Sequence, residues 1–172
     1  EAGVPPGRVK LAPIIESAAG VENAATIATA PRVTALLLGT ADLSRELGMR
    51  LTPEGRELDY VLMRVRMATG AAGADAVDAP AFAFRDIELL ERQSRIAADM
   101  GYVGKSAIHP SQLEVIRRVF SPSPEEVEKA RAVWAAWEKA QAKGTGVASL
   151  EGELVEKPFA ERARRVIEAA EA

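Results

Sequence analysis

A chain of 172 residues, 48% apolar and 27% charged, has the composition of a soluble globular protein and is long enough for one core that buries roughly 70% of the unfolded surface. A net charge of -3, with no Lys/Arg-rich stripe interleaved with aromatics, argues against nucleic acid as a partner. The absence of cysteine removes disulfides, thiolate catalysis and Cys-based metal sites, and a single histidine, His109, removes any two-histidine zinc site. No apolar run is long enough to span a bilayer and no export signal is evident, so the expectation is a cytoplasmic protein with no membrane partner.

The chain opens without methionine on Glu1-Ala-Gly-Val-Pro-Pro-Gly-Arg8, which reads as an interior loop leading into a strand and points to a preceding segment. The apolar run over 9–15 predicts a first strand, and the three-and-four spacing of Val21, Ala24, Ala25, Ile27 and Ala28 predicts a helix over 20–30, stopped by Pro31. A second strand follows over 33–38, then Gly39-Thr-Ala-Asp42 and a short helical piece over 43–47 ending at Gly48. The pattern Leu58, Val61, Leu62, Val65 predicts a helix over 54–69, with a loop over 70–73 and a weak third strand over 75–79. A helix over 86–100, burying Ile87, Leu90, Ile96, Ala97 and Met100, stops at Gly101 and leads into a fourth strand over 102–108. Ser111-Gln-Leu-Glu114 has the form of a capping box, and Ser123-Pro124-Glu125-Glu126 has the same form with proline in the first turn. The helix that follows Ser123 carries Val127, Ala130, Val133, Trp134 and Trp137, and the tail reads as a loop or hairpin and a last helix from about residue 158.

Strands alternating with helices imply an α/β fold of parallel (β/α) units. A small open doubly wound sheet and half of an eight-stranded barrel both satisfy the pattern. In either, Glu16 and Asp42 fall at the carboxyl ends of adjacent parallel strands, the edge on which such folds place their chemistry. Two carboxylates roughly 4 Å apart repel by about 4 kcal/mol at an effective dielectric near 20, so the pair calls for a cation or a shared proton. A hard divalent ion is the simplest answer, since magnesium is commonly held by one or two carboxylates with water and substrate oxygens completing its shell. Spacing alone leaves open a pair of solvated strand-end carboxylates.

The motifs Ile14-Ile-Glu16-Ser-Ala-Ala-Gly20-Val-Glu-Asn-Ala24, Leu38-Gly39-Thr-Ala-Asp42-Leu and Gly101-Tyr-Val-Gly104-Lys105-Ser-Ala-Ile-His109-Pro110-Ser-Gln112 resemble the HpcH/HpaI aldolase and citrate lyase beta-subunit family. Gly152-Glu-Leu-Val-Glu156-Lys-Pro158 is similar to the C-terminal extension of its citramalyl-CoA and malyl-CoA lyase branch. The resemblance implies the second half of a TIM (β/α)8 barrel over 1–120 and a helical C-terminal extension or lid over 121–172. It implies Mg2+ on Glu16 and Asp42, and substrate-binding amides over Gly39, Thr40, Ala41 and Asp42. It implies a carbon–carbon lyase acting on a 3-hydroxy acyl-CoA thioester, assembled as a homo-oligomer (trimer or hexamer). An arginine that the family's earlier strands contribute has no match here. The family's lid aspartate, which reaches a neighbouring subunit's site, matches Glu156, whose extra methylene shifts the carboxylate by about 1 Å or more.

Lys105 is expected to bind a carboxylate or phosphate of the coenzyme A thioester, or else to pair with Asp75 or Asp78. His109 reads as a structural residue before proline rather than a catalyst, and Trp134 with Trp137 as core or subunit interface. Two other readings are an aldolase of the same family that works without coenzyme A and a non-catalytic half-barrel completed by a partner.

Overall fold

A computed structural model describes residues 3, 5 and 7–171. Glu1, Ala2, Val4 and Pro6 of the expected opening loop lie outside the described residues. The chain divides into two compact units, Glu1–Phe120 and Ser121–Ala172.

The first unit is built on a four-stranded parallel sheet of order β1-β2-β3-β4, with β1 Ile14–Ile15, β2 Ala35–Leu38, β3 Asp75–Asp78 and β4 Gly104–Lys105. β1 is shorter than the predicted run over 9–15. Pro13 has no N–H to donate to a ladder, and among the described residues upstream of it only the bridge Leu11 to Val33 joins the two segments. The last strand is likewise shorter than its predicted 102–108.

The predicted helix over 20–30 is two helices, α1 Ala18–Glu22 and α2 Ala24–Ala28. Asn23 divides them: its Nδ2 donates to the Ala19 carbonyl at 2.8 Å, so its side chain competes with the helix for that acceptor. α3, Thr40–Leu47, begins directly after Gly39 and stops at Gly48, whose φ of 65° is the left-handed cap that closes it. α4, Asp59–Ala72, is entered through a 3-10 turn at Arg56–Leu58 rather than as one helix from residue 54. α4 also runs through the predicted loop over 70–73, as far as Ala72. α5, Ile87–Asp99, is capped by Asp86, whose Oδ1 accepts the Leu89 amide at 2.9 Å. α6, Leu113–Phe120, follows a 3-10 turn whose cap is His109 and not Ser111. His109 Nδ1 accepts the Ser111 amide, while Gln112 Oε1 accepts the amides of Ile108 and His109.

Register divides the sheet into two rows. Ile14, Leu37, Val77 and Gly104 are paired across one face, while Ile15 with Leu38, Leu36 with Ala76, and Asp78 with Lys105 are paired across the other. Ile15, Leu36, Leu38 and Ala76 are buried in one cluster with Val21, Ala24 and Ala28 of α1 and α2 and Val61, Leu62 and Val65 of α4. On the first face Ile14 is 54% exposed. Helices cover one side of this sheet, and the other presents an apolar row, as one half of a (β/α)8 barrel does on its inner wall.

The second unit is α7 Pro124–Ala142, an antiparallel hairpin of β5 Val147–Leu150 and β6 Glu153–Glu156, and α8 Lys157–Glu171. Ser123 caps α7 with a reciprocal bond pair to Glu126, the arrangement its sequence predicts. Trp134 and Trp137 are half-buried along α7. Among the described residues no helix is long and apolar enough to cross a membrane.

Candidate active site

Glu16 is the first residue past β1, two positions beyond Ile14, so it continues the uncovered row of the sheet. Gly39 stands at the matching place past β2, two positions beyond Leu37, and its amide donates to the Ile15 carbonyl at 2.9 Å. A methyl group at position 39 would lie 2.8 Å from Glu16 Cβ, 2.9 Å from Ile14 Cγ2 and 3.2 Å from Glu16 Oε2. Glycine is required there by this close approach, because its backbone angles, φ -113° and ψ 94°, are open to any residue. The absence of a side chain at 39 is what lets the Glu16 carboxylate lie over the start of α3.

Gly39 is the N-cap of α3 and no side chain caps this end. The amides of Thr40, Ala41 and Asp42 therefore lack intrahelical acceptors and, with the helix dipole, favour a bound anion. Asp42 sits in that first turn with its side chain 56% exposed, and Arg45 one turn on bonds its Oδ1 at 3.0 Å. Exposed pairs of this kind contribute only about 0–1 kcal/mol, so Arg45 is easily displaced by a stronger cation. The Glu46 carboxylate accepts the Ala18 amide at 3.3 Å, joining α3 to the start of α1. Glu16 and Asp42 thus flank the same helix start. Among the described residues no group of three or more His, Asp or Glu side chains is gathered. Two carboxylates beside free amides suit a hard ion that keeps water and substrate oxygens, and not a cage of protein ligands.

Lys105 stands on the other side of the sheet. It is paired across the ladder with Asp78 in the helix-covered row, and its Nζ donates to Asp78 Oδ2 at 2.5 Å with side-chain exposures of 3% and 9%. The other Asp78 oxygen accepts the Ala79 amide at 2.7 Å. Of the two partners the sequence offered for this lysine, the structure selects Asp78.

A cavity of about 280 Å3 opens beside this ion pair, walled by α4, α5 and the segments over 51–58 and 79–83, with Thr40 at one end. Glu57 lines it too. The Thr52 amide, reinforced by the Thr52 hydroxyl, holds the Glu57 carboxyl below its ordinary value. Tyr102 is buried near the pair and donates to the Leu62 carbonyl at 2.8 Å. Burial, helped by the Asp78 charge, raises its hydroxyl pKa well above the ordinary value.

Gln112 does more than complete a motif. Fully buried, it donates to the Ala81 carbonyl at 2.8 Å while accepting the two amides over 108–109, and so ties the segment after β3 to the segment after β4. His109 stacks on Phe84, with ring centroids 4.8 Å apart, and joins the same two segments. Glu156 is the exposed last residue of β6 in the second unit.

Carboxylates and free helix amides thus stand together at the carboxyl edge of a partial (β/α)8 barrel. The comparisons give the family: residues 1–110 match the HpcH/HpaI aldolase/citrate lyase family, and the chain belongs to it. The chain is 43% identical over 159 residues to (3S)-malyl-CoA thioesterase of Cereibacter sphaeroides, covering 92% of this chain and 56% of that protein. It is 36% identical over 173 residues to citrate lyase subunit beta of Leuconostoc mesenteroides, covering 100% of this chain and 57% of that protein. Among solved structures, CitE of Mycobacterium tuberculosis in complex with magnesium, acetoacetate and coenzyme A aligns with a TM-score of 0.81 at 29% identity, over 96% of this chain and 62% of that one. The chain spans about half the length of the curated relatives it matches.

Proposed function

We propose that this chain carries the metal-binding part of a magnesium-dependent carbon–carbon lyase. Its substrate is a 3-hydroxy acyl-CoA thioester such as citramalyl-, malyl- or citryl-CoA, split into acetyl-CoA and an oxo acid. The observation that carries the reading is the Glu16 carboxylate seated over side-chain-free Gly39, beside the helix start that bears Asp42. It is supported by CitE, which was solved with magnesium, acetoacetate and coenzyme A.

Glu16 and Asp42 would hold the ion, Asp42 giving up its exposed Arg45 partner. Bound Mg2+ supplies Lewis acidity that stabilises negative charge on the substrate oxygen as the carbon–carbon bond breaks. The amides of Thr40, Ala41 and Asp42 orient the carboxylate of the acid portion; the Gly39 amide, expected to join them, is taken by the Ile15 carbonyl. In the reaction the hydroxyl proton passes to solvent water, the bond between C2 and C3 breaks, and its electron pair moves into the thioester as an enolate. A proton then returns to that carbon. Glu156, delivered by another subunit of a homo-oligomer, is the acid for that step. The apolar row containing Ile14 is covered by further barrel strands, which also contribute the arginine for the enolate oxygen.

A hydrolytic reading competes, because a relative at 43% identity is a thioesterase. Product analysis on malyl-CoA with Mg2+ separates them. The lyase yields glyoxylate and acetyl-CoA with the thioester intact. A thioesterase consumes water and yields malate and free coenzyme A, detected by a thiol reagent. Free thiol without glyoxylate would overturn the lyase reading.

A further inference from the structure

The helix that bears Asp42 is short and lightly held. α3 has eight residues, of which Thr40 and Leu43 are buried, while Ala41, Asp42, Arg45, Glu46 and Leu47 are exposed. A helix of this length depends on tertiary contacts for its placement. Asp42 and Glu46 stand one turn apart on the same face, where two like charges oppose helix formation, so Glu46 does not serve α3 alone. Side chains on a helix lean toward its start, and Glu46 Oε1 reaches across to accept the Ala18 amide at 3.3 Å.

That amide belongs to the first residue of α1, two positions past Glu16. The local cap, Ser17 Oγ, accepts the Gly20 amide at 3.1 Å, which leaves the Ala18 amide to an acceptor from elsewhere. α1 is fixed at its other end as well. Arg64 Nη2 donates to the Glu22 carbonyl at 2.9 Å and the Tyr60 hydroxyl to the Glu22 carboxylate at 3.1 Å, both from α4, and Val21 is buried in the core. Glu46 thus ties the helix bearing Asp42 to an anchored element that begins just past Glu16. We infer that Glu46 is a positioning residue for the carboxylate pair, its bond to the Ala18 amide holding the Asp42 carboxylate at the distance from Glu16 that one ion requires. The inference rests on the proposed function, and within it Glu46 acts through the backbone and is not itself a metal ligand.

The test compares the native protein with Glu46→Gln and Glu46→Ala, exposed substitutions that leave the core alone. Glutamine keeps an oxygen for the Ala18 amide and removes the charge, whereas alanine removes both. Pyruvate is titrated calorimetrically with and without Mg2+ in about 0.15 M salt, where the screening length is about 8 Å and the bare charge of an exposed carboxylate counts for little. Hydrogen exchange of the Ala18 amide is followed by NMR in the same proteins. The alanine variant is expected to bind pyruvate with Mg2+ about tenfold more weakly and to exchange the Ala18 amide about tenfold faster, with glutamine restoring both to within about threefold of native. Equal weakening in the two variants overturns the inference, because the charge and not the bond then matters. Native affinity in Glu46→Ala overturns it too, whatever the exchange rate. If the native protein binds no pyruvate with Mg2+, the lyase reading falls and exchange alone decides. Faster Ala18 exchange in alanine, restored by glutamine, then supports the tie, and an unchanged rate overturns it.

Discussion

Two acid–base corners lie at the carboxyl edge of one sheet, on opposite faces, and they are built for opposite purposes. Asp42 and Arg45 are 56% and 77% exposed, joined by a bond that solvent screens and a helix turn makes adjacent. Asp78 and Lys105 are 9% and 3% exposed, joined across a strand pair, with the spare aspartate oxygen also satisfied. The buried pair has given up its freedom to exchange partners, since each charge is costly without the other. The exposed carboxylates keep that freedom, as the proposed uptake and release of an ion requires.

Substitutions sharpen the contrast. Lys105→Met strands the Asp78 charge and is expected to lower stability by roughly 3–5 kcal/mol in chemical denaturation. A loss under 1 kcal/mol would mean that water already solvates the pair. Gly39→Ala pushes a methyl group into Glu16 Cβ and Ile14 Cγ2, with an expected cost of about 1–3 kcal/mol and a much larger loss of Mg2+ affinity, because the carboxylate itself is displaced. Equal Mg2+ affinity in this variant would separate Glu16 from the metal site.

Tyr102 ties the buried corner to alkaline pH. Its hydroxyl pKa is raised by burial, so the folded state keeps a proton that the unfolded chain loses above about pH 10. Stability is therefore expected to fall as pH rises beyond that point, and Tyr102→Phe to flatten the fall while costing about 1 kcal/mol at neutral pH through loss of its bond to Leu62. An unaltered alkaline slope in the phenylalanine variant would assign the effect to another group. Smallest of all, Arg45→Ala is expected to change stability by less than about 1 kcal/mol and to leave Mg2+ affinity equal or tighter, since it removes a competing cation. Weaker Mg2+ binding would show that Arg45 belongs to the site.

Much of the first unit was legible because its signals are local. Apolar runs separated by helical spacing gave the strand–helix alternation, and Glu16 just past the first run falls at a strand end as expected, whereas Asp42, expected at the next strand end, lies in the first turn of α3, which starts at Thr40 rather than at 43. The Ser123 cap was equally local. What the sequence hid depended on competition between groups distant along the chain or equivalent in type. Asn23 splits a helix because its amide reaches the Ala19 carbonyl, a choice that periodicity does not register. By type Ser111 is the capping residue and His109 is not, yet the buried Gln112, bonded to Ala81 31 residues away and to the amides over 108–109, makes His109 the cap. The selection of Asp78 over Asp75 for Lys105 follows from register, which puts Asp78 opposite the lysine. The need for glycine at 39 is visible only once Glu16 is known to approach it.

In the proposed reading, Glu16 and Asp42 form a site for Mg2+ and an oxo acid. Its most direct test is calorimetric titration of pyruvate with and without Mg2+ into the native protein and Asp42→Asn. Mg2+-dependent binding is expected for the native protein, with its loss in a variant whose stability changes by no more than about 0.5 kcal/mol, because this carboxylate is exposed and outside the core. Retained Mg2+-dependent binding in folded Asp42→Asn would contradict it.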